Sequence, residues 1–262
     1  MNHTVDERFV GLTVYGDQPD PRSAHLIAAA VWSTKSWRTM PTTSWPTDPD
    51  SGQLHAMPWL ANRPDDPFLQ PPADVAQHVA NLLGLVVEQR GVVCVWNAPQ
   101  TFGLLAGHLP DWTPPPLILD LRVLDRKLNP ERKGRRTLTT TAEFYDVPVP
   151  PVELDPHAEA ELLVHVGQTM LHEHRLGMPF SDLSGQQKVW HAEQSADLAK
   201  WLLKNRRPID YVDSGWPLRN DQRLWHAEAL LEAWTDPDDP ADISDDQVKA
   251  AVRTLLALGT RS

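Results

Sequence analysis

Gly91-Val92-Val93-Cys94-Val95-Trp96 is an unbroken apolar run, followed directly by Asn97-Ala98-Pro99. It lacks the alternation of a half-exposed strand and reads as a strand buried on both faces, the kind found in sheets covered by helices. The flanks agree. Before it, Ala73 to Arg90 places Val75, Val79, Leu82, Leu83 and Val86 on one stripe at helical spacing. After it come a helix from Pro99 to His108, a proline run and a second apolar strand, Leu117-Ile118-Leu119-Asp120. Gly103-Leu104-Leu105-Ala106-Gly107 inside that helix is packing material rather than a phosphate cradle.

Towards the N-terminus, Phe9-Val10-Gly11-Leu12-Thr13-Val14-Tyr15 alternates like a strand and ends at the turn-rich Gly16-Asp17-Gln18-Pro19-Asp20-Pro21. His25 to Trp32 pairs with it as a hairpin, and Lys35 to Met40 is expected to add an edge strand. The proline-rich stretch from Pro41 to Pro72 is long for a loop in a compact domain, which suggests a functional flap or a variable segment. Downstream, helices are expected around Leu138 to Tyr145 and from His157 to His174. Antiparallel strands first, then helix–strand alternation, give the α/β class: one mixed sheet of about five strands flanked by helices.

The remainder is helical. Ser184 is expected to cap a helix running to Lys204, with Trp190, Leu198, Trp201 and Leu202 within an arc of about 120°. Tyr211 to Leu218 is an irregular link, and Gln222 to Trp234 and Asp246 to Leu258 read as two more helices. A division follows: a domain over 1–178 and a C-terminal helical extension over 179–262. Trp-His-Ala-Glu occurs at both Trp190 and Trp225, but the copies continue differently and do not mark a repeat.

At 262 residues, 41% hydrophobic and 23% charged, the chain has the material for a sizeable core. No run approaches the roughly 18 apolar residues that cross a bilayer. The start, Met1 to Arg8, has no apolar signal core, and the single cysteine, Cys94, has no intrachain partner, so a cytoplasmic setting is expected. A net charge of −11 argues against a protein that coats nucleic acid, though not against one basic rim. Such a rim exists: Arg122 to Arg136 carries seven cations against Asp125 and Glu131. The stretch from Asp236 to Asp246 is acidic and reads as a solvated linker.

Three landmarks occur in order: Asn97-Ala98-Pro99, then Lys133-Gly134-Arg135-Arg136-Thr137-Leu138, then Trp190-His191-Ala192-Glu193-Gln194 with Gly215-Trp216-Pro217-Leu218. Together they resemble the DnaQ-like (DEDD-type) 3'–5' exonuclease domain family of actinobacteria and their phages, over roughly Phe9 to Arg219. The resemblance implies a ribonuclease H-like fold and an active site of carboxylates holding two divalent metal ions. It also exposes what is missing. The first family motif, Asp-x-Glu, falls on Thr13 and Tyr15. The second acid, shortly after Asn-Ala-Pro, falls on Thr101. The third motif, His-x-x-x-x-Asp, falls on Asp155 and Ala160.

The physical consequence is a loss of charge. Magnesium is a hard ion held through carboxylate and water oxygens, whereas Thr13, Thr101 and Ala160 are uncharged and Tyr15 is neutral near pH 7. Nuclease catalysis requires about 8–23 kcal/mol of barrier reduction, which a hydroxyl-lined pocket does not supply. No cofactor is therefore expected. The implied protein is a pseudoenzyme that keeps an exonuclease-like scaffold for binding nucleic acid or a protein partner. One alternative is an active exonuclease using magnesium or manganese on relocated ligands, with Asp17, Asp155 and Glu159 as the fallback set. Another is a purely regulatory protein-binding module.

Arg132, Lys133, Arg135 and Arg136 are the candidate nucleic-acid contacts, as point charges and bidentate forks on phosphates. Taken without the resemblance, they read as a solvated turn before a helix. His165, His172 and His174 invite a zinc site but form no four-ligand set and read as helix-surface residues. Of the eleven tryptophans, Trp32, Trp96, Trp190 and Trp201 sit in core-like contexts. Trp37, Trp45, Trp59 and Trp112 are freer to stack on bases or partners.

Overall fold

The computed structural model describes residues 9–16, 24, 26–33, 43–46, 71–149, 155–174, 176–205, 207 and 212–219, with 43–46 and 203 described by backbone alone. The chain divides into two compact units, Met1–Gln187 and Lys188–Ser262.

The first unit is an α/β structure built on a mixed sheet. The strands are β1 (Phe9–Gly16), β2 (Leu26–Ser33), β3 (Thr43–Pro46), β4 (Val92–Val95) and β5 (Ile118–Asp120), in the order β3-β2-β1-β4-β5. β1 and β2 are antiparallel, as are β2 and β3, whereas β4 runs parallel to β1 and β5 parallel to β4. The helices are α1 (Pro72–Glu88), α2 (Ala98–His108), α3 (Leu121–Leu128), α4 (Leu138–Phe144), α5 (Pro156–Glu173) and α6 (Phe180–Lys204), six among the described residues.

Both faces of the sheet are covered. Along β1, Phe9 to Val14 are all buried, so the alternate side chains that point to opposite faces each meet a packed layer. α5 lies across β1 and β2, while α1 packs on β2 and α2 on β1. Two glycines let α5 sit close. A Cβ on Gly11 would lie 1.8 Å from the Ala160 carbonyl oxygen, and one on Gly167 would press on Leu119, Leu121 and Cys94 at 3.1–3.4 Å. β4 is completely buried, as its unbroken apolar sequence requires.

Among the described strands β5 is at the edge, and its backbone groups are met by side chains. Ser184 accepts from the Ile118 amide (2.9 Å) and donates to the Ile118 carbonyl (2.9 Å). Gln187 accepts from the Asp120 amide (2.7 Å) and donates to the Ile118 carbonyl (2.8 Å). These bonds satisfy groups that would otherwise be an open pairing template. Ser184 is thus a buried residue inside α6, not the expected cap; the helix starts at Phe180, before it.

Other expectations need adjustment. The third strand lies at Thr43–Pro46, within the stretch expected to be loop, and the expected strand over 35–40 lies outside the described residues. The basic segment opens with a helix not foreseen, α3, because Asp120 ends β5 and caps the next turn without a glycine or proline between them. The expected helices over 222–234 and 246–258, the acidic run over 236–246 and Asp17 lie outside the described residues. No helix among the described residues is long and apolar enough to cross a membrane.

In the second unit, the irregular link is tied to α6. Ser195 donates to the Asp213 carbonyl at 2.8 Å, and the Asp213 carboxylate accepts from the Gly215 amide at 2.6 Å. Trp201, expected in the core, is half exposed, with the Arg207 guanidinium 5.4 Å over its ring.

Candidate functional site

Thr13 and Tyr15 share with Gly11 the face of β1 on which α5 rests. Thr13 is buried, and its hydroxyl finds no hydrogen-bond partner. Two residues on, the Tyr15 hydroxyl donates to the Glu159 carboxylate. Burial pushes the Glu159 carboxyl up to about 7, well above the ordinary carboxylate range, because the charged form loses hydration there. Ala160 is fully buried, with its carbonyl against Gly11. A turn of about 100° per residue separates the two directions, so Glu159 reaches Tyr15 while Ala160 is held against the backbone of β1.

The first turn of α5 explains Asp155. Its side chain accepts from the Ala158 amide at 2.7 Å and caps the helix, with Pro156 in the first helical turn, where the missing amide is no loss. Asp155 is exposed and serves the helix end. Thr101 is buried in α2. Of the fallback set, Glu159 is in contact with Tyr15, a residue at a family acid position, Asp155 caps its own helix, and Asp17 lies outside the described residues. Among the described residues no group of three or more His, Cys, Asp or Glu converges as metal ligands do. Two hydroxyls, a phenol and a methyl group do not fit the demands of two dications.

A carboxylate of structural importance was not singled out from the sequence. Asp120, almost fully buried, accepts from the Ala98 amide (2.8 Å) at the start of α2 and from the Arg122 (3.2 Å) and Val123 (3.3 Å) amides at the start of α3. One anion thus serves two helix N-termini, where positive partial charge gathers.

The basic segment divides by direction. Asp125 is completely buried and takes Arg132 on one oxygen (2.7 Å) and Arg136 on the other (2.8 Å). Arg136 also donates to the carbonyls of Asn129 (2.6 Å) and Arg132 (2.8 Å). Arg132 adds Thr141 Oγ1 (3.0 Å) and the Arg135 carbonyl (3.3 Å). Both guanidiniums therefore build the loop between α3 and α4. Lys133 and Arg135, by contrast, are exposed. Burial first, then the neighbouring Arg122 and Arg136, pull the Arg126 guanidinium below its ordinary range, a sign of how densely cations gather here.

The chain matches no protein-family model and no curated protein sequence.

The remaining sequence candidates have local roles. Cys94 is buried and burial drives its thiol far above its ordinary range, which leaves it protonated and inert. His165 lies 3.5 Å from Glu161 and against the Trp32 ring, His172 is exposed, and His174 meets the Tyr145 hydroxyl at 3.1 Å. Trp32, Trp96 and Trp190 are partly exposed rather than fully buried. Trp112 packs on Phe102, while Trp37, Trp59 and the Trp45 side chain lie outside the described residues.

Proposed function

We propose that this chain is a catalytically degenerate relative of the DnaQ-like 3'–5' exonucleases, with a ribonuclease H-like sheet, retaining a role in binding nucleic acid. The observation that carries this is the neutral character of the face where family acids are expected. Thr13 offers an unpartnered hydroxyl, Ala160 is pressed against Gly11, and the Glu159 carboxyl accepts from Tyr15. An antiparallel hairpin followed by two parallel strands reached through helices supports the fold assignment.

Among the described residues the site offers the Glu159 carboxyl, raised toward neutrality and bonded to a phenol, which does not offset the dehydration of two divalent ions about 4 Å apart. No hydrolytic step is assigned to it. What the chain keeps is a helix-covered sheet with a local concentration of cations on an otherwise acidic molecule. Nucleic-acid binding suits that charge pattern, since phosphate contact depends on local rather than net charge.

The test follows a 5'-labelled single-stranded DNA incubated with pure protein in manganese, with and without chelator. The expected result is an intact strand at high protein concentration. A chelator-sensitive ladder shortening from the 3' end, lost when Asp17, Asp155 and Glu159 are substituted, would establish relocated ligands and an active enzyme.

A further inference from the structure

The loop between α3 and α4 lies against an aromatic ring at the end of α4 that local packing does not use up. Phe144, the last residue of α4, is half exposed. The Arg132 guanidinium lies 4.9 Å over its ring, and Tyr145 meets it edge-on with centroids 5.0 Å apart. Arg132 is fixed by Asp125, Thr141 and the Arg135 carbonyl, so the ring is backed by a cation that cannot swing away. The same guanidinium therefore touches Phe144 on one side and the Arg135 backbone on the other. Exposed Lys133 and Arg135 belong to the same loop as Arg132, and the Arg135 carbonyl lies 3.3 Å from the guanidinium that covers the ring.

We infer that Phe144, Lys133 and Arg135 form a docking surface for single-stranded nucleic acid, with one base stacked on Phe144 and adjacent phosphates held by Lys133 and Arg135. The inference rests on the nucleic-acid-binding role proposed above and names the surface that performs it. Three features point to this occupant. Arg122 to Asp146 carries seven cations against Asp125, Glu131, Glu143 and Asp146, a net positive segment within a chain of net charge −11, so the patch complements a polyanion. Of the four candidate cations, Arg132 and Arg136 are committed to Asp125, which leaves Lys133 and Arg135 as the exposed pair. An open ring beside open cations is the combination that binds single strands, because every base has a stacking face while a duplex hides it. Strands of any sequence fit such a surface, as nothing here reads base edges.

The experiment measures binding of the full chain to fluorescein-labelled oligothymidylate and to an abasic strand of equal length, by anisotropy in chelator, across about 50 to 200 mM salt. Phe144→Leu should weaken oligothymidylate binding about fivefold or more and leave the abasic strand unaffected, and Phe144→Tyr should restore the loss. Lys133→Ala and Arg135→Ala should weaken both strands alike and each lower the salt slope by about 0.7. Thermal melts of the variants check that the fold is kept, which half exposure of Phe144 favours. Wild-type binding to neither strand would overturn the inference. So would equal binding by Phe144→Leu and wild type, or equal loss on both strands in Phe144→Leu. A chelator-sensitive exonuclease would instead overturn catalytic degeneracy and leave this surface standing.

Discussion

Replacing Glu159 by glutamine should flatten the dependence of stability on pH between about 4.5 and 7. The Glu159 carboxyl ordinarily titrates near 4.5 and is raised by burial to about 7 in the folded chain. The sign follows from proton binding. Below pH 4.5 the carboxyl is protonated in both states and carries no penalty. Between 4.5 and 7 the unfolded chain releases the proton while the folded chain holds it, so stability falls as pH rises. Above 7 both are ionised and the loss is complete. The span corresponds to about 3 kcal/mol. Residual exposure and the hydrogen bond from Tyr15, which favours the ionised form, reduce the expected size to about 2 kcal/mol. Glutamine mimics the protonated carboxyl and still accepts from Tyr15. Urea denaturation followed by tryptophan fluorescence from pH 4 to 8.5, for wild type and Glu159→Gln, isolates the difference. The two should coincide near pH 4 and diverge by about 2 kcal/mol at pH 8, with the variant more stable. Parallel profiles would refute the claim that the folded chain buries this carboxyl at a cost.

Thr13→Val removes a buried hydroxyl without a partner and keeps the shape of the side chain, so it should stabilise the fold by about 1 kcal/mol in the same assay. Destabilisation would show that the hydroxyl is bonded in solution. Gly11→Ala places a methyl group 1.8 Å from a backbone oxygen of α5 and should cost about 3 kcal/mol or more, whereas Gly84→Ala, in open space on α1, should be neutral or mildly stabilising. Similar melting temperatures for the two would contradict the close approach of α5 to β1. Asp125→Asn deprives two nearly buried guanidiniums of their shared anion and should cost about 3 kcal/mol. Protease cleavage after Lys133 and Arg135 should accelerate with it; an unchanged cleavage rate would argue that Asp125 does not organise the loop.

The sequence legibly carried the α/β class and the nature of the strands. Gly91 to Trp96 is apolar throughout because β4 is covered on both faces, and Phe9 to Tyr15 alternates while every residue to Val14 is nonetheless buried. The Thr137 side chain, which accepts from the Thr140 amide at 3.2 Å, and the Asp155 side chain mark the starts of α4 and α5 through local bonds. Such features depend on residues a few positions apart, so the linear sequence contains them. α3 was obscured because its polar face dominates the composition of a short helix, and Ser184 resembles a cap although its partner is Ile118, far along the chain.

What the tertiary structure alone decided is which charges are spent. In sequence, Arg132, Lys133, Arg135 and Arg136 are four similar cations; in space, Asp125 consumes the first and last and leaves the middle pair outward. In sequence, Glu159 is one acid among several near Ala160; in space, its carboxylate accepts from Tyr15 on the face expected to hold acids. The sequence by itself determined which groups are present and which elements they form, because periodicity and capping act over a few residues. Only the fold determined their partners, because hydrogen bonds and burial act between residues distant along the chain and close in space.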